Sequence, residues 1–469
     1  MSELPEGIEP APIPEPKDSA LGIVLRRSGT RVHVLLGRRS RRARFMPGNV
    51  VFPGGKLDAE DEPAREGAFE RCASREVHEE AGLHIPASAW RDAGERTTPP
   101  LFPLRFRTRF FVASLPEGAE LPSALPSPEE IDSLAFADPR DVLDAWAFGR
   151  ALVPPPILPI LRLMTAEGAL DASGLAVRIA AVNAAEDAHP RIEFLPGVWV
   201  LPVKTRTLPP ASCTNVWMPG GRRFLVIDPG SAAPDENARL LAVVARRVAL
   251  GDAVEAIVLT HHHRDHVSGA EAIATALRVP VLAHAETLSR LAALPEGVVT
   301  RPLADGDAID LDGMRLVAVH TPGHAPGHLA LFDPVRRTLI AGDLVSGLST
   351  ILVGLADGDM DAYLGSLRRA AALDPATVFP SHGPPLSGKA LAATLSHRED
   401  RERRILAALS DGAPHALTAI AVAAYAEAPD TPAFLRELQT RAHLDRLERH
   451  GAVVRTDGGY RIPGTSIAS

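Results

Sequence analysis

Thr260-His261-His262-His263-Arg264-Asp265-His266 follows directly on the apolar run Ala256-Ile257-Val258-Leu259. A short aliphatic run of this kind reads as a buried strand. His261 and His263 lie two apart, so an extended backbone points both the same way and His262 the other way. Asp265 and His266 fall at the turn into a helix, where they can face a second metal. Imidazole and carboxylate are ligand types that suit zinc, manganese and iron. Taken alone, the cluster could still be a row of surface histidines.

Four further strands end in the same fashion. Phe224-Leu225-Val226-Ile227 stops at Asp228-Pro229-Gly230, and Arg315 to Val319 is followed by Thr321-Pro322-Gly323-His324. Thr338-Leu339-Ile340-Ala341 runs into Gly342-Asp343, and Thr377-Val378-Phe379 into Ser381-His382-Gly383. Polar ligand types therefore gather just past the C-terminal ends of apolar strands, where α/β folds place their sites.

Over about 200 residues this series resembles the metallo-β-lactamase superfamily in all five of its motifs. The resemblance implies an αββα sandwich with a site for two zinc ions between the sheets. One ion would take His261, His263 and His324, the other Asp265, His266 and His382, with Asp343 bridging and Asp228 in support. A metal-bridging hydroxide would be the nucleophile, since metal binding lowers the pKa of water toward about 7. No Ser or Cys nucleophile is then required, and Asp265 is the candidate catalytic side chain. His262, His284, His320 and His328 are read as structural or supporting. Within the superfamily, Thr321 to His328 looks like the glyoxalase II type of thioesterase. Ser381-His382-Gly383-Pro384 and the segment after it look like the lactamase-β-like subgroup, some of whose members cleave single-stranded RNA.

An earlier segment carries a different chemistry. Ala20 to Leu25 and Val32 to Leu36 read as two strands around the turn Ser28-Gly29-Thr30. Phe52-Pro53-Gly54-Gly55 then precedes Arg75-Glu76-Val77-His78-Glu79-Glu80-Ala81-Gly82-Leu83. On a helix Glu76, Glu79 and Glu80 share one face. Clustered carboxylates repel one another unless a cation sits among them, and oxygen-only ligands suit Mg²⁺ or Mn²⁺. The pattern resembles the Nudix box, whose family hydrolyses X-linked nucleoside diphosphates. That resemblance makes Arg75 structural and assigns Glu76, Glu79 and Glu80 to the metal, with Glu79 and Glu80 as catalytic candidates. The stretch from Gly55 to Arg75 is about six residues longer than in the usual box, and Gly67 stands in place of its early Glu. Phe45-Met46-Pro47-Gly48 and Arg105 to Phe111 look like Nudix proteins related to coenzyme A diphosphatases, with Glu129 or Glu130 as a late carboxylate.

After about 393 the chain suggests three helices and a short hairpin, Val453 to Ile462, which together read as a winged helix. From Leu395 to Ile462 ten Arg balance ten Asp plus Glu. Phosphate binding wants net positive charge. The balance favours packing or dimerisation, as in a homo-oligomer, over binding nucleic acid, with RNA as the alternative partner.

Composition bounds the rest. At 469 residues, two to four domains are expected from about 150 residues per domain. A net charge of −8 gives no general attraction to nucleic acid or anionic lipid. Met1 to Lys17 is acidic and proline-rich, with neither the basic nor the apolar region of a signal peptide. No apolar run reaches the ~18 residues of a membrane span. Cys72 and Cys213 are too few and too far apart for a disulfide framework or a cysteine metal site. A cytoplasmic protein without a membrane partner is expected.

The reading is thus a multidomain α/β and α+β chain. It has a disordered tail (1–17), a Nudix-like α/β/α sandwich (18–165), a linker or terminal helix (166–190), a metallo-β-lactamase sandwich (191–392) and a winged helix (393–465). The expected function is a metal-dependent hydrolase acting on a small molecule. Its zinc site would cleave a thioester or other ester, and its Nudix site the pyrophosphate of a coenzyme A or nucleotide derivative. Acyl-coenzyme A offers both bonds. The alternatives are an endoribonuclease, or a Nudix domain that senses a ligand without catalysis.

Overall fold

The computed structural model describes residues 11–28, 31–40, 48–115, 120–122, 127, 129–166, 171–188, 190–291, 297–354 and 357–463. Most of the expected tail, the turn residues Gly29 and Thr30, and Phe45 to Pro47 lie outside the described residues. The chain divides into two compact units, 13–201 and 202 onward.

In the first unit the strand Lys17–Ser28 runs antiparallel to Arg31–Arg39 and to Gly54–Lys56, and parallel to Phe106–Ser114. Arg91–Thr97 and Ile131–Ala137 extend the sheet on either side. Side chains alternate between faces, as the strand period requires. Ala20, Val24, Leu35 and Phe111 face the helix Ala68–Ala81 through Cys72, Ala73 and Val77. Ile23, Leu25, Val34 and Phe110 pack instead with Trp146, Ile160, Leu161 and Ile179, from helices on the opposite face. Both faces are therefore covered, which makes an α/β/α sandwich. The alanine-rich stretch after 166 contributes the helix Ala172–Ala188, whose Asn183 Nδ2 donates to Ala93 O at 2.9 Å.

The second unit is built on two sheets. One holds Arg223–Ile227, Ala253–Leu259, Val281–Ala283 and Thr300–Pro302 in parallel, with Cys213–Pro219 antiparallel to the first of these. The other runs Ala308–Asp310, Arg315–His320, Leu329–Asp333, Thr338–Gly342, then Thr377–Pro380 and Leu386–Ser387. The sheets meet where the rings of Trp217 and Phe379 lie 4.5 Å apart. There Trp217 Nε1 and Asn215 Nδ2 both donate to Pro380 O. Pro234–Ala249 and Ala270–Leu277 lie on the first sheet, and Met360–Ala372 covers the second through Tyr363, Leu364 and Leu367. This is an αββα order.

The C-terminal part comprises helices Lys389–Ala407, Leu417–Ala424 and Ala433–Arg449 and the hairpin Val454–Thr456 with Gly459–Arg461. Its own core includes Ile405, Ile420, Leu444, Leu447 and Val453. The first of these helices buries Leu391 in the core of the second sheet. Among the described residues no helix is long and apolar enough to cross a membrane. Cys72 and Cys213 are both buried and free.

Candidate functional site

The ends of Arg223–Ile227, Ala253–Leu259, Thr338–Gly342 and Thr377–Pro380 and the turn after Arg315–His320 deliver polar residues to one place. Ligand atoms of His261, His263 and His324 lie within 4.8 Å of one another, as do those of His261, His266 and Asp343, and those of Asp265, His266 and His382. Asp343 stands between the groups: its Oδ2 is 3.5 Å from His324 Nε2 and 3.6 Å from His266 Nε2, and its Oδ1 is 3.5 Å from His382 Nε2. Asp265 Oδ2 is 3.5 Å from His382 Nε2 and 3.7 Å from His266 Nε2. All seven residues singled out in the sequence therefore converge.

The outer nitrogens are tied down. His266 Nδ1 is 2.9 Å from Asp228 Oδ2, His324 Nδ1 2.8 Å from Leu352 O, and His382 Nδ1 3.0 Å from Cys213 O. His261 Nδ1 is 3.0 Å from Thr260 Oγ1. The inner atoms have no partner: Nε2 of His261, His263, His266 and His324 and Oδ1 of Asp343 are buried without a hydrogen bond. Unpaired buried polar atoms are costly. Several of them facing one point, each on a ring oriented from behind, is the arrangement that metal ligands adopt. The donor set fits zinc.

The electrostatics agree. Burial drives His261 far below the ordinary histidine range and His324 to about 4. For His266 burial also pulls down, but Asp343, Asp265 and Asp228 outweigh it and raise the group to about 10. His382 is raised likewise, burial being overcome by Asp343 and Asp265. Carboxylates that hold a proton on these rings would hold a divalent cation in its place.

Supporting residues take their places around the cluster. Asp228 is fully buried and accepts from Thr260 N, Thr260 Oγ1 and Ser381 Oγ besides its bond to His266. His328 does not join the ligand groups; its Nε2 accepts from Asp343 N at 3.0 Å. His262 Nε2 lies 2.8 Å from Asp357 Oδ2, and ligand atoms of His262, His263 and Asp357 come within 4.8 Å of one another as a further group that could hold a metal. His284 and His320 stack on each other at 4.3 Å, outside the ligand groups. The sequence reading missed Asp357, whose carboxyl is held well below its usual range by the neighbouring imidazoles of His262, at 2.8 Å, and His263, at 4.0 Å. It missed Leu352 as well, because its part is played by a backbone carbonyl.

The first unit places Glu76, Glu79 and Glu80 on the helix Ala68–Ala81. Arg75 stands among them, with Nη1 2.8 Å from Glu76 Oε1 and 3.0 Å from Glu79 Oε2. Its other edge grips Asp61, Nε at 3.1 Å and Nη2 at 2.8 Å. Asp61 is 1% exposed and comes from the lengthened loop. An acid thus meets Arg75 despite Gly67, and the only sequence signal for it was the pair Asp58 and Asp61, which caps a short turn. Glu80 is 3% exposed and accepts one bond, from Gly54 N at 3.2 Å. Burial raises Glu80 to about 8 and Glu76 to about 7, and the charge of Glu130 adds to both. A Cβ at Gly55 would come within 2.2 Å of Glu76 Oε1, so the carboxylate would have to shift if glycine were replaced.

Comparison with known proteins agrees with both halves. The profile of the metallo-beta-lactamase superfamily matches residues 206–382, and that of the NUDIX domain residues 16–154. The Beta-lactamase-like protein 2 homolog of Drosophila melanogaster is 30% identical over 251 residues, which span 51% of this chain and 83% of that protein. A hydroxyacylglutathione hydrolase of Ectopseudomonas mendocina (strain ymp) is 32% identical over 215 residues, 43% of this chain and 75% of that one. The crystal structure of a beta-lactamase domain protein from Burkholderia ambifaria shares the fold, with a TM-score of 0.52 at 22% identity over 59% of this chain and 94% of the other. The chain belongs to the metallo-beta-lactamase superfamily and carries a NUDIX domain ahead of that region. Both are hydrolase families.

Proposed function

We propose that the cluster in the second unit holds two zinc ions and hydrolyses a thioester, and that the first unit, with Mg²⁺ or Mn²⁺, cleaves a pyrophosphate. One zinc would be held by His261, His263 and His324 and the other by Asp265, His266 and His382, with Asp343 shared. The observation that carries this reading is the set of buried, unpartnered imidazole nitrogens around Asp343. Bound zinc supplies a Lewis acid and a water of lowered pKa. The chain supplies the rest: Asp228 fixes His266, the Leu352 carbonyl fixes His324, and His328 fixes the backbone of Asp343. Thioester is the bond of choice because a relative is named for hydrolysis of an acylglutathione. Acyl-coenzyme A carries both a thioester and a pyrophosphate, which gives the two units a common substrate. The C-terminal part, in our reading a winged helix, serves packing rather than nucleic acid.

The test is mass spectrometry of products from an acyl-coenzyme A panel, with His263→Ala and Glu79→Ala alongside. Free acid plus coenzyme A, lost only in His263→Ala, is the expected result for the zinc site. Acyl-phosphopantetheine plus adenosine bisphosphate, lost only in Glu79→Ala, is expected for the other. Absence of both from metal-loaded protein overturns the proposal and turns attention to single-stranded RNA.

One observation favours a second reading of the first unit alone. Arg75 already pairs with Glu76 and Glu79, which suits a module that binds its ligand without turning it over. Nucleotide binding by calorimetry, with no product formed in the presence of Mg²⁺ or Mn²⁺, would decide for it.

A further inference from the structure

The chain between Asp343 and the helix Met360–Ala372 is anchored from the C-terminal helices. Arg398 is 1% exposed, yet no carboxylate pairs with it among the described residues. Its Nη2 donates to Ile351 O and its Nη1 to Gln439 Oε1 at 3.0 Å. Gln439 Nε2 reaches the same Ile351 carbonyl at 3.4 Å. The next carbonyl along, Leu352 O, is the one that meets His324 Nδ1. The other end of the loop is held as well. Tyr363, whose ring lies 5.5 Å from the Arg398 guanidinium, donates from its hydroxyl to Leu344 O at 2.8 Å, one residue past Asp343. At Gly354, with φ +113°, a Cβ would come within 2.9 Å of Ala442 Cβ, so the loop lies directly on the last helix.

An arginine buried without an acid is expensive, since a packed apolar side chain would fill the space without a desolvated charge. Its Nε has no partner, but both Nη groups are in use, one on Gln439 and the other on the Ile351 carbonyl next to the peptide that aims His324. We propose that Arg398, together with Gln439, is a positioning residue for the metal cluster, acting through Ile351 and Leu352 on His324. The inference rests on the proposed role of His324 as a ligand. It makes the C-terminal helices a working part of the hydrolase site.

The experiment uses the full chain, stripped of metal and titrated with Co²⁺, read by visible absorption and by metal analysis after equilibrium dialysis. Arg398→Met keeps the bulk and removes the donors. It should weaken Co²⁺ binding about tenfold, the low end for groups that orient a ligand, and alter the ligand-field bands. Arg398→Lys, which can still donate to Ile351 O, should recover most of the loss. Arg403→Met, on an exposed position of the same helix, should match wild type. If Arg398→Met fails to fold, Gln439→Leu, which removes the second donor to Ile351 O, should show a smaller change in the same bands. Folded Arg398→Met with wild-type affinity and spectrum overturns the inference, as does folded Gln439→Leu with an unchanged spectrum where it stands in. His324→Ala separates this from the underlying reading: if it too leaves Co²⁺ binding intact, the ligand assignment is what fails.

Discussion

The backbone N–H of Asp343 points into the ring of His328, donating to Nε2 at 3.0 Å. The ring is therefore neutral with its proton on Nδ1, which faces Thr321 Oγ1 at 2.8 Å. Burial agrees, pushing His328 down to about 3. A histidine read from the sequence as structural or supporting thus holds the peptide of the residue that stands between the ligand groups. Gly342, at φ +54°, leaves room for it; a Cβ there would come 2.6 Å from His328 Nε2.

His328→Ala should fold but lose its grip on Asp343. Zinc affinity should fall about 10- to 100-fold, as for other residues that support a metal ligand. Metal content after dialysis against graded free zinc checks this. Wild-type content in the variant would show that Asp343 needs no such support.

Zinc binding should release protons at pH 7. Burial opposes the charged form of His266, but Asp343, Asp265 and Asp228 raise it to about 10, and His382 is raised in the same way. Both rings are protonated in the metal-free chain and must be neutral as ligands. Calorimetry in two buffers of different ionisation enthalpy reads the release directly. It follows that zinc affinity falls as pH is lowered. A binding heat independent of buffer would contradict the argument.

Glu80 makes the metal-free first unit sensitive to pH. Its folded pKa of about 8 lies above the ordinary glutamate value, chiefly through burial. The folded state therefore keeps a proton that the unfolded chain gives up. The stability tied to that proton is complete below about pH 4.5 and is lost as pH rises through about 8. Glu80→Gln should raise the unfolding temperature of metal-free protein at pH 8.5 and change it little at pH 5. Mg²⁺ or Mn²⁺ should flatten the wild-type dependence. Scanning calorimetry at the two pH values is the check, and an equal effect of the substitution at both would rule the mechanism out.

Asp61→Ala removes two bonds from Arg75, whose side chain is 16% exposed. Loss of charge-assisted bonds at a buried carboxylate should cost about 1–3 kcal/mol. Freed from Asp61, Arg75 should also compete harder for Glu76 and Glu79 and weaken Mg²⁺ or Mn²⁺ binding. Denaturant unfolding and a metal titration measure the two effects. No change in either would mean that the lengthened loop plays no part in ordering the helix.

Much of this protein was legible in the sequence for a simple reason. Strands alternate their side chains, so His261 and His263 declare a shared direction, and apolar runs that stop at Asp228, Asp343 or His382 mark the ends where ligands collect. Ala20 to Leu25 and Glu76 to Glu80 announce a strand and a carboxylate-bearing helix on the same grounds. What only the tertiary structure decided are contacts between segments far apart in the chain: Asp61 with Arg75, Asp357 with His262, and Arg398 with the carbonyl of Ile351. Periodicity reports which way a side chain points from its own backbone. It says nothing of which distant loop will meet it, and a carbonyl such as that of Leu352 leaves no mark in the choice of amino acid.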